Sequence, residues 1–236
     1  YLRVGELRQA LGVPLAAFTA TADGLGIAVD GAGSTDADGT PIAVTGTVFV
    51  PKTPYVGASR RPFISYTAGT QGMGDSCAPS RQMESLVEYE GIGITPAVAR
   101  GYAVSITDYQ GLGTAGTHTY MVREAQGRAV LDMARATKNL KGSGITASNP
   151  IGLMGYSQGG GAAGAAAELA GSYAPELNIK GSAIGAPPAD LGKVGKNIDG
   201  SLYFAFATFA LLGVAQSEGI DPNPHLNAAG KELASQ

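Results

Sequence analysis

A serine at the centre of a five-residue motif is the strongest chemical signal in the chain. Gly155, Tyr156, Ser157, Gln158 and Gly159 form the pattern G-x-S-x-G. This spacing is typical of a nucleophile elbow, a sharp turn between a strand and a helix, because small residues on either side let the two elements approach without a clash. The turn exposes the hydroxyl and directs the first N–H of the helix at the reacting oxygen. The motif predicts Ser157 as nucleophile and the N–H of Gln158 as an oxyanion donor.

The sequence around the motif favours a nucleophile over the alternative, a purely structural turn. The apolar run Ile151–Gly155 precedes the serine and predicts a strand. Gly159-Gly160-Gly161-Ala162-Ala163 follows it. A helix with so many small residues can pack very close to a sheet, as a nucleophile elbow requires.

A second candidate is Asp108, which follows the apolar run Tyr102–Thr107. Like Ser157, it ends a predicted parallel strand, at the edge of the sheet where ligands bind in open α/β folds. Either Asp108 accepts hydrogen bonds from nearby N–H groups, or it is an oxyanion donor, which requires a protonated carboxyl in an apolar site. The Gly69–Gly72 loop, after the predicted strand Phe63–Thr67, is the rival for the donor role.

A serine hydroxyl also needs a general base that takes its proton. In folds built around a nucleophile elbow, the catalytic residues follow one another along the chain in the order serine, acid, histidine. His118 precedes Ser157, so we interpret it as a loop or substrate-contact residue. His225 follows Ser157, but Pro224 and the residues after it indicate the start of a helix, with no apolar strand before them. Neither histidine is assigned as the base. In a compact hydrolase His225 could pair with an acid, and the candidates are Asp190, Asp199 and Asp221.

The elements that must position these residues alternate along the chain. The first thirty residues read as irregular, and Ser34–Thr40 as a turn. From Phe63 onward strands alternate with helices, which predicts an α/β fold with a mostly parallel sheet and helices on both faces. Predicted strands are Pro41–Val50, Phe63–Thr67, Tyr102–Thr107, Ile151–Gly155 and Lys180–Gly185. Predicted helices are Arg81–Glu88, Pro96–Arg100, Tyr120–Leu140 and Gly159–Ala170.

Composition narrows the function classes. Hydrophobic residues make up 44% and charged residues 15% of 236 residues, which is typical of a globular protein. The net charge of −3, without a basic block, predicts no nucleic-acid partner. Two histidines and one cysteine, far apart, predict no metal site, and Gly69–Gly74 lacks the Lys-Ser/Thr of a phosphate-binding loop, so no cofactor is expected. Cys77 is either an inert thiol or half of a disulfide with a partner outside the chain.

Several stretches together resemble the secretory lipase family, the lipase-A-like fungal and bacterial members of the α/β-hydrolase superfamily. They are TDADGTPIAVTGTVFVP, TDYQGLG, GYSQGG and, most specifically, AELAGSYAPELNIKGSAIGAPPADL, within Ser34–Gly230. The resemblance implies an α/β-hydrolase fold with an inserted helical cap, secretion, and action on acylglycerols and other carboxylic esters. It also implies that Ser157 is the nucleophile and that Asp108 and the N–H of Gln158 form the oxyanion hole.

In that family the acid and the histidine lie beyond the cap, so the resemblance carries neither onto this chain, which we expect to be truncated within the cap region. Residues 1–200 would then be the N-terminal part of the hydrolase core, and 201–236 the start of the cap. The apolar segment Leu202–Ala215 is too short to span a bilayer and is either a core helix or a lipid-facing cap helix. The sequence does not open with a positively charged segment followed by an apolar run, so we expect no signal peptide within it.

The leading hypothesis is a serine lipase or esterase that forms an acyl-enzyme at Ser157. We expect an ester or lipid substrate and contact with a lipid–water interface through the cap, while the sequence gives no oligomeric state. One alternative transfers the acyl group to an alcohol or sterol. Another is a non-catalytic hydrolase-like module, which the absent acid and base would favour if the chain were complete. A peptidase is a weaker alternative, because the same chemistry cleaves amides.

Overall fold

One mixed sheet organises the part of the chain that the structure describes. The structure is a computed structural model, and it describes residues 18–22, 25–52, 54–57, 59–85 and 87–234. Within them the sheet has seven strands in the order β1-β2-β3-β5-β4-β6-β7. The strands are β1 (Phe18–Ala22), β2 (Leu25–Thr35), β3 (Pro41–Pro51), β4 (Phe63–Thr67), β5 (Ala103–Thr107), β6 (Ile151–Tyr156) and β7 (Ile179–Gly185).

The direction of the strands changes in the middle of the sheet. Strands β1, β2 and β3 form an antiparallel meander, and β3 is also antiparallel to β5. From β5 through β4 and β6 to β7 the pairing is parallel, with Phe63 of β4 between Ala103 of β5 and Ile151 of β6. The carboxyl ends of β4, β5 and β6 therefore lie at one edge, and the segments after them meet there.

Seven helices are described, and they lie on both faces of the sheet. The long central pair packs together closely, because a Cβ on Gly127 would stand only 3.1 Å from the Cβ of Ala165. Small residues thus let these helices approach each other as well as the sheet. The helices are α1 (Pro79–Glu84), α2 (Gly91–Ala99), α3 (Arg123–Asn139), α4 (Gln158–Tyr173), α5 (Leu191–Ile198), α6 (Phe204–Glu218) and α7 (Ala228–Ala234).

The core lies where the parallel strands meet α3 and α4. All five residues of β5 are buried, as expected for a central strand covered on both faces. Apolar side chains from the strands and from α3 fill the space, among them Phe63, Ile106, Leu131 and Leu153. Strand β7, at the edge of the described sheet, leaves most of its residues exposed.

The predicted α/β fold is confirmed, whereas several local predictions are wrong. The helix predicted over Arg81–Glu88 is Pro79–Glu84, and the helix predicted to start at Pro96 already begins at Gly91. The first thirty residues are not all irregular, since β1 and most of β2 lie there. Their composition is rich in Gly, Ala and Thr and gives little local signal, whereas β2 pairs along the whole of β3 and β1 pairs with β2. The turn before β3 is shorter than predicted, because β2 continues through Thr35. The C-terminal helix begins at Ala228, not His225, because Asn223–His225 forms a short 3-10 helix and the Asn227 side chain accepts the N–H of Gly230.

Helix α5 was not predicted; Asp190 precedes it and accepts the N–H of Lys193. Among the described residues no helix is both long and apolar enough to cross a membrane.

Candidate active site

Ser157 is the single residue that separates strand β6 from helix α4. Strand β6 ends at Tyr156 and α4 begins at Gln158. The backbone of Ser157 has φ 58° and ψ −122°, a strained conformation for a residue with a side chain. Two hydrogen bonds of 3.0 Å hold it, one from its N–H to the carbonyl of Gly185 and one from the N–H of Gly161 to its carbonyl. The residue is only half-buried, so its hydroxyl is not sealed in the core.

The glycines of the motif are required by close backbone contacts. A Cβ on Gly155 would lie 1.9 Å from Thr67 Oγ1, and one on Gly159 would lie 2.0 Å from the carbonyl oxygen of Thr67. The Thr67 hydroxyl lies in the same crowded space, at 3.0 Å from the carbonyl of Met154 and 2.7 Å from that of Gly159. The end of β4 therefore touches both sides of the turn, and any larger residue at these two positions would push the elements apart.

Gln158 places one backbone donor next to the serine. It is the first residue of α4, and the first N–H groups of a helix have no acceptor within the helix. The aligned peptide dipoles add positive potential at the same point, which favours a developing negative charge. The side chain of Gln158 is buried and turns inward, where its Nε2 lies 2.9 Å from Nε2 of His118.

His118 is buried behind the turn. Its Nδ1 lies 2.8 Å from the carbonyl oxygen of Gln110, so both ring nitrogens are engaged. The ring stacks on Tyr109 at 5.8 Å and meets Tyr120 edge-on at 5.9 Å. Burial lowers the pKa of His118 to about 4, so the imidazole is neutral at neutral pH. The substrate-contact interpretation is therefore not supported, because no part of this side chain reaches the surface.

Asp108 directly follows β5, as predicted, and its carboxylate is enclosed by donors. Oδ2 accepts the hydroxyls of Thr45 and Ser80, each at 2.6 Å, and Oδ1 accepts the N–H of Ser80 at 2.8 Å. Complete burial raises the pKa of the Asp108 carboxyl, while the Ser80 and Thr45 donors oppose the shift. The contacts are those of an acceptor that ties β5 to β3 and to the start of α1. Its role as an oxyanion donor stays a prediction.

The loop after β4 is fixed by a buried acid that the sequence did not single out. Glu90 Oε1 accepts the N–H of Gly69 at 2.5 Å, and Oε2 accepts the hydroxyl of Tyr66 at 2.7 Å. The next residue, Thr70, shares a hydrogen bond of 2.6 Å with the hydroxyl of Tyr120. The N–H of Gly69 is thus already bound, while the loop itself is held close to the aromatic residues around His118.

Helix α6 packs on Tyr120, one of the aromatic residues around His118. Phe209 of α6 meets Tyr120 edge-on at 6.0 Å, and a Cβ on Gly213 would stand 2.4 Å from the backbone nitrogen of Tyr120. The row of rings continues with Phe206 of α6 and with Tyr203, the residue before α6, at spacings of 6.1 and 6.0 Å, and both side chains are exposed. The row therefore joins the buried core beside Ser157 to an exposed apolar surface.

Other predicted residues lie apart from this arrangement. His225 is exposed on its 3-10 helix, and Cys77 is half-buried with a free thiol. Position 72 has no room for a side chain, because a Cβ there would stand 2.4 Å from Cys77 Sγ. No group of three or more His, Cys, Asp or Glu residues in the described part of the chain could hold a metal ion. The sequence offered no signal for Glu90 or for the His118–Gln158 pair, since neither forms a motif.

The family match and the similar proteins all point to lipases. Residues 78–232 match the family described as Secretory lipase. The chain is 33% identical over 213 residues to the protein named "Probable inactive lipase MT1628" of Mycobacterium tuberculosis, covering 86% of this chain and 47% of that protein. It is 32% identical over 192 residues to Lipase 6 of Candida albicans, covering 77% and 40%. A third relative, "Secreted triacylglycerol lipase LIP5" of Malassezia globosa, is 33% identical over 149 residues, covering 60% and 30%.

The fold is similar to that of Candida antarctica lipase A in its closed state, with a TM-score of 0.77 at 23% identity, covering 100% of this chain and 56% of that one. The chain spans about half the length of the curated relatives it matches first. The family match extends over most of the chain, and the similarity in fold agrees with it. The chain therefore belongs to the secretory lipase family.

Proposed function

We propose that the protein is a serine carboxylic-ester hydrolase, a lipase or esterase that acts through an acyl-enzyme on Ser157. One observation carries the proposal: Ser157 occupies a strained turn at the carboxyl edge of the parallel strands, directly before the helix whose first N–H belongs to Gln158. Strain of this kind persists only where the surrounding structure imposes it, and it is concentrated at functional sites.

The residues fit the first half of acyl transfer. Ser157 Oγ attacks the ester carbonyl carbon while a general base takes the hydroxyl proton, and a tetrahedral oxyanion forms. The N–H of Gln158 donates to that oxyanion, which collapses to break the C–O bond while the protonated base gives its proton to the leaving alcohol, so the acyl group stays on Ser157. Water later releases the acid. His118 is unsuited to be the base, because its nitrogens are bound to Gln110 and Gln158.

An acylglycerol is the proposed substrate class. The exposed rings of Tyr203, just before α6, and Phe206, on α6, continue inward through Phe209 to Tyr120, and we propose that an acyl chain packs against this apolar row. We propose that residues 201–236 begin a cap over the site and that this apolar surface contacts a lipid–water interface. The names of the Candida and Malassezia relatives support a lipase, and the latter also supports secretion.

The test compares two serine variants of the same helix region. Ser157→Ala should lower turnover of p-nitrophenyl esters and triacylglycerols by at least about 10³-fold, as removal of a nucleophile does in related chemistry. Ser172→Ala is the matched control, because Ser172 is exposed on α4 and bonds only to the carbonyl of Leu169. Unchanged turnover in Ser157→Ala would refute the proposal. Product analysis with added alcohol would separate hydrolysis from transfer.

A second candidate is a hydrolase-like protein without catalysis. It is favoured by the name of the Mycobacterium relative, "Probable inactive lipase". An inactive protein with an intact turn would still differ from an enzyme in one way: without a base, Ser157 would not react with an active-site phosphonate. Absence of both ester turnover and phosphonate labelling in the wild-type protein would decide for this candidate.

A further inference from the structure

The hydrogen bonds of His118 have a fixed direction. The carbonyl oxygen of Gln110 can only accept, so Nδ1 of His118 must carry the proton that joins them at 2.8 Å. In a neutral imidazole the other nitrogen then has only a lone pair. Nε2 of His118 therefore accepts a hydrogen from the Gln158 amide at 2.9 Å. The imidazole acts as a directed bridge from the loop after β5 to the first residue of α4.

The bridge ends on the residue that carries the oxyanion donor. The peptide between Ser157 and Gln158 holds the N–H proposed to stabilise the transition state, and it directly follows the Cα of Ser157, whose backbone is strained at φ 58° and ψ −122°. Such strain relaxes unless several contacts oppose it. The backbone of Ser157 is held by Gly185 and Gly161, while the Gln158 side chain is anchored by His118.

Other contacts hold the imidazole itself in place. Tyr109, on which it stacks, has a positive φ of 65° and donates its hydroxyl to the carbonyl of Ala68 at 2.8 Å. Tyr120, edge-on to the ring, is tied to Thr70. The segments after β4 and β5 thus pack around His118 from two sides. They restrict movement of the imidazole, so it would not move along with Gln158 if that residue were displaced.

We infer that His118 is a positioning residue for the oxyanion hole: it accepts the Gln158 side-chain amide and thereby keeps the backbone N–H of Gln158 aimed at the substrate oxygen. The inference rests on the proposed function. It explains why a histidine is buried beside the nucleophile yet is out of order for a triad base.

The test is a double-mutant cycle on the full natural protein. His118→Phe keeps a stacking ring without the acceptor, and Gln158→Met keeps the side-chain length without the amide. Each should lower kcat for a p-nitrophenyl ester about 10- to 100-fold with KM little changed, because only transition-state stabilisation is lost. The double variant should be no slower than the slower single variant, since both changes break one interaction. His118→Gln, which retains an acceptor, should recover part of kcat.

A further readout separates positioning from packing. Affinity for a boronic acid, whose adduct with Ser157 mimics the oxyanion, should fall in parallel with kcat, measured per folded molecule. His225→Ala, the matched change at the exposed histidine, should alter neither quantity. If His118→Phe does not fold, Gln158→Met and His118→Gln still give the comparison.

Two results would overturn the inference, and they differ. If the wild type hydrolyses esters and the variants lose stability additively at unchanged kcat and boronate affinity, His118 is only a core residue and the proposed function stands. If the wild type itself neither hydrolyses esters nor binds the boronic acid, the proposed function fails as well.

Discussion

Replacing Gly159 with alanine should damage the turn that presents Ser157, whereas the same change at Gly164, later in the same helix, should stabilise the protein. The two glycines differ in what a new methyl group would meet. At Gly159 it would stand 2.0 Å from the carbonyl oxygen of Thr67 and 2.8 Å from that of Ala68. At Gly164 the nearest atom is Ile184 Cδ1 at 3.6 Å, an ordinary contact.

The magnitudes follow from these distances. The clash at Gly159 is with backbone at the end of β4, so it can be relieved only by moving β4 away from the helix. Overpacking of this kind costs about 1–3 kcal/mol or more, against a gain of about 1 kcal/mol from the helix propensity of alanine. Because the new methyl group would overlap the carbonyl oxygen of Thr67 by more than about 1 Å, we expect the free energy of unfolding to fall by about 2 kcal/mol. Gly164→Ala should gain about 0.5–1 kcal/mol.

Urea unfolding of both variants gives the free energies, and ester turnover gives the effect on the site. A displacement of about 1 Å at the turn should lower kcat roughly 100-fold in Gly159→Ala, while Gly164→Ala should retain it. If Gly159→Ala is as stable as Gly164→Ala and turns over esters at the wild-type rate, Gly159 is not needed to hold the turn at Ser157.

Three further outcomes are expected. Burial lowers the pKa of His118 from 6.5 to about 4, so between these two pH values the unfolded chain binds a proton that the folded protein does not. The unfolding free energy of wild type relative to His118→Phe should therefore fall by about 3 kcal/mol from pH 7 to pH 4. Asp108→Asn should cost roughly 1–3 kcal/mol in urea unfolding, because an NH₂ group would face the Ser80 donors; unchanged stability and kcat would instead support a donor role. Gly213→Ala should force α6 off Tyr120 and lose about 1–3 kcal/mol, seen as faster hydrogen exchange in α6.

Much of the parallel half of the fold could be predicted from local sequence. Runs such as Phe63–Thr67 and Ile151–Gly155 are short, apolar and bounded by turn residues, so they read as strands and proved to be strands, with β6 buried at alternate positions. The turn at Ser157 was predictable as well, because its glycines have a steric reason that the motif itself encodes. The first strands were missed because β2 has a weak local preference and depends on its register with β3.

The contacts around Ser157 could not be predicted, since they join residues far apart in the sequence. His118 and Gln158 are forty residues apart, and neither lies in a pattern that indicates a hydrogen bond. Glu90 and Gly69 meet only because α2 begins beside the end of β4. Asp108 was placed correctly at the end of its strand, but its partners Thr45 and Ser80 belong to β3 and α1. Side-chain direction at a strand end is set by tertiary packing, which the pattern of residue types does not carry.

The most direct test of the central claim is covalent capture of the nucleophile. The natural protein is incubated with a fluorophosphonate, digested, and the modified peptide identified by mass spectrometry. We predict a single adduct on Ser157, absent from Ser157→Ala and unchanged in Ser172→Ala. An adduct on another residue, or none at all in a folded and ester-hydrolysing wild type, would contradict the account.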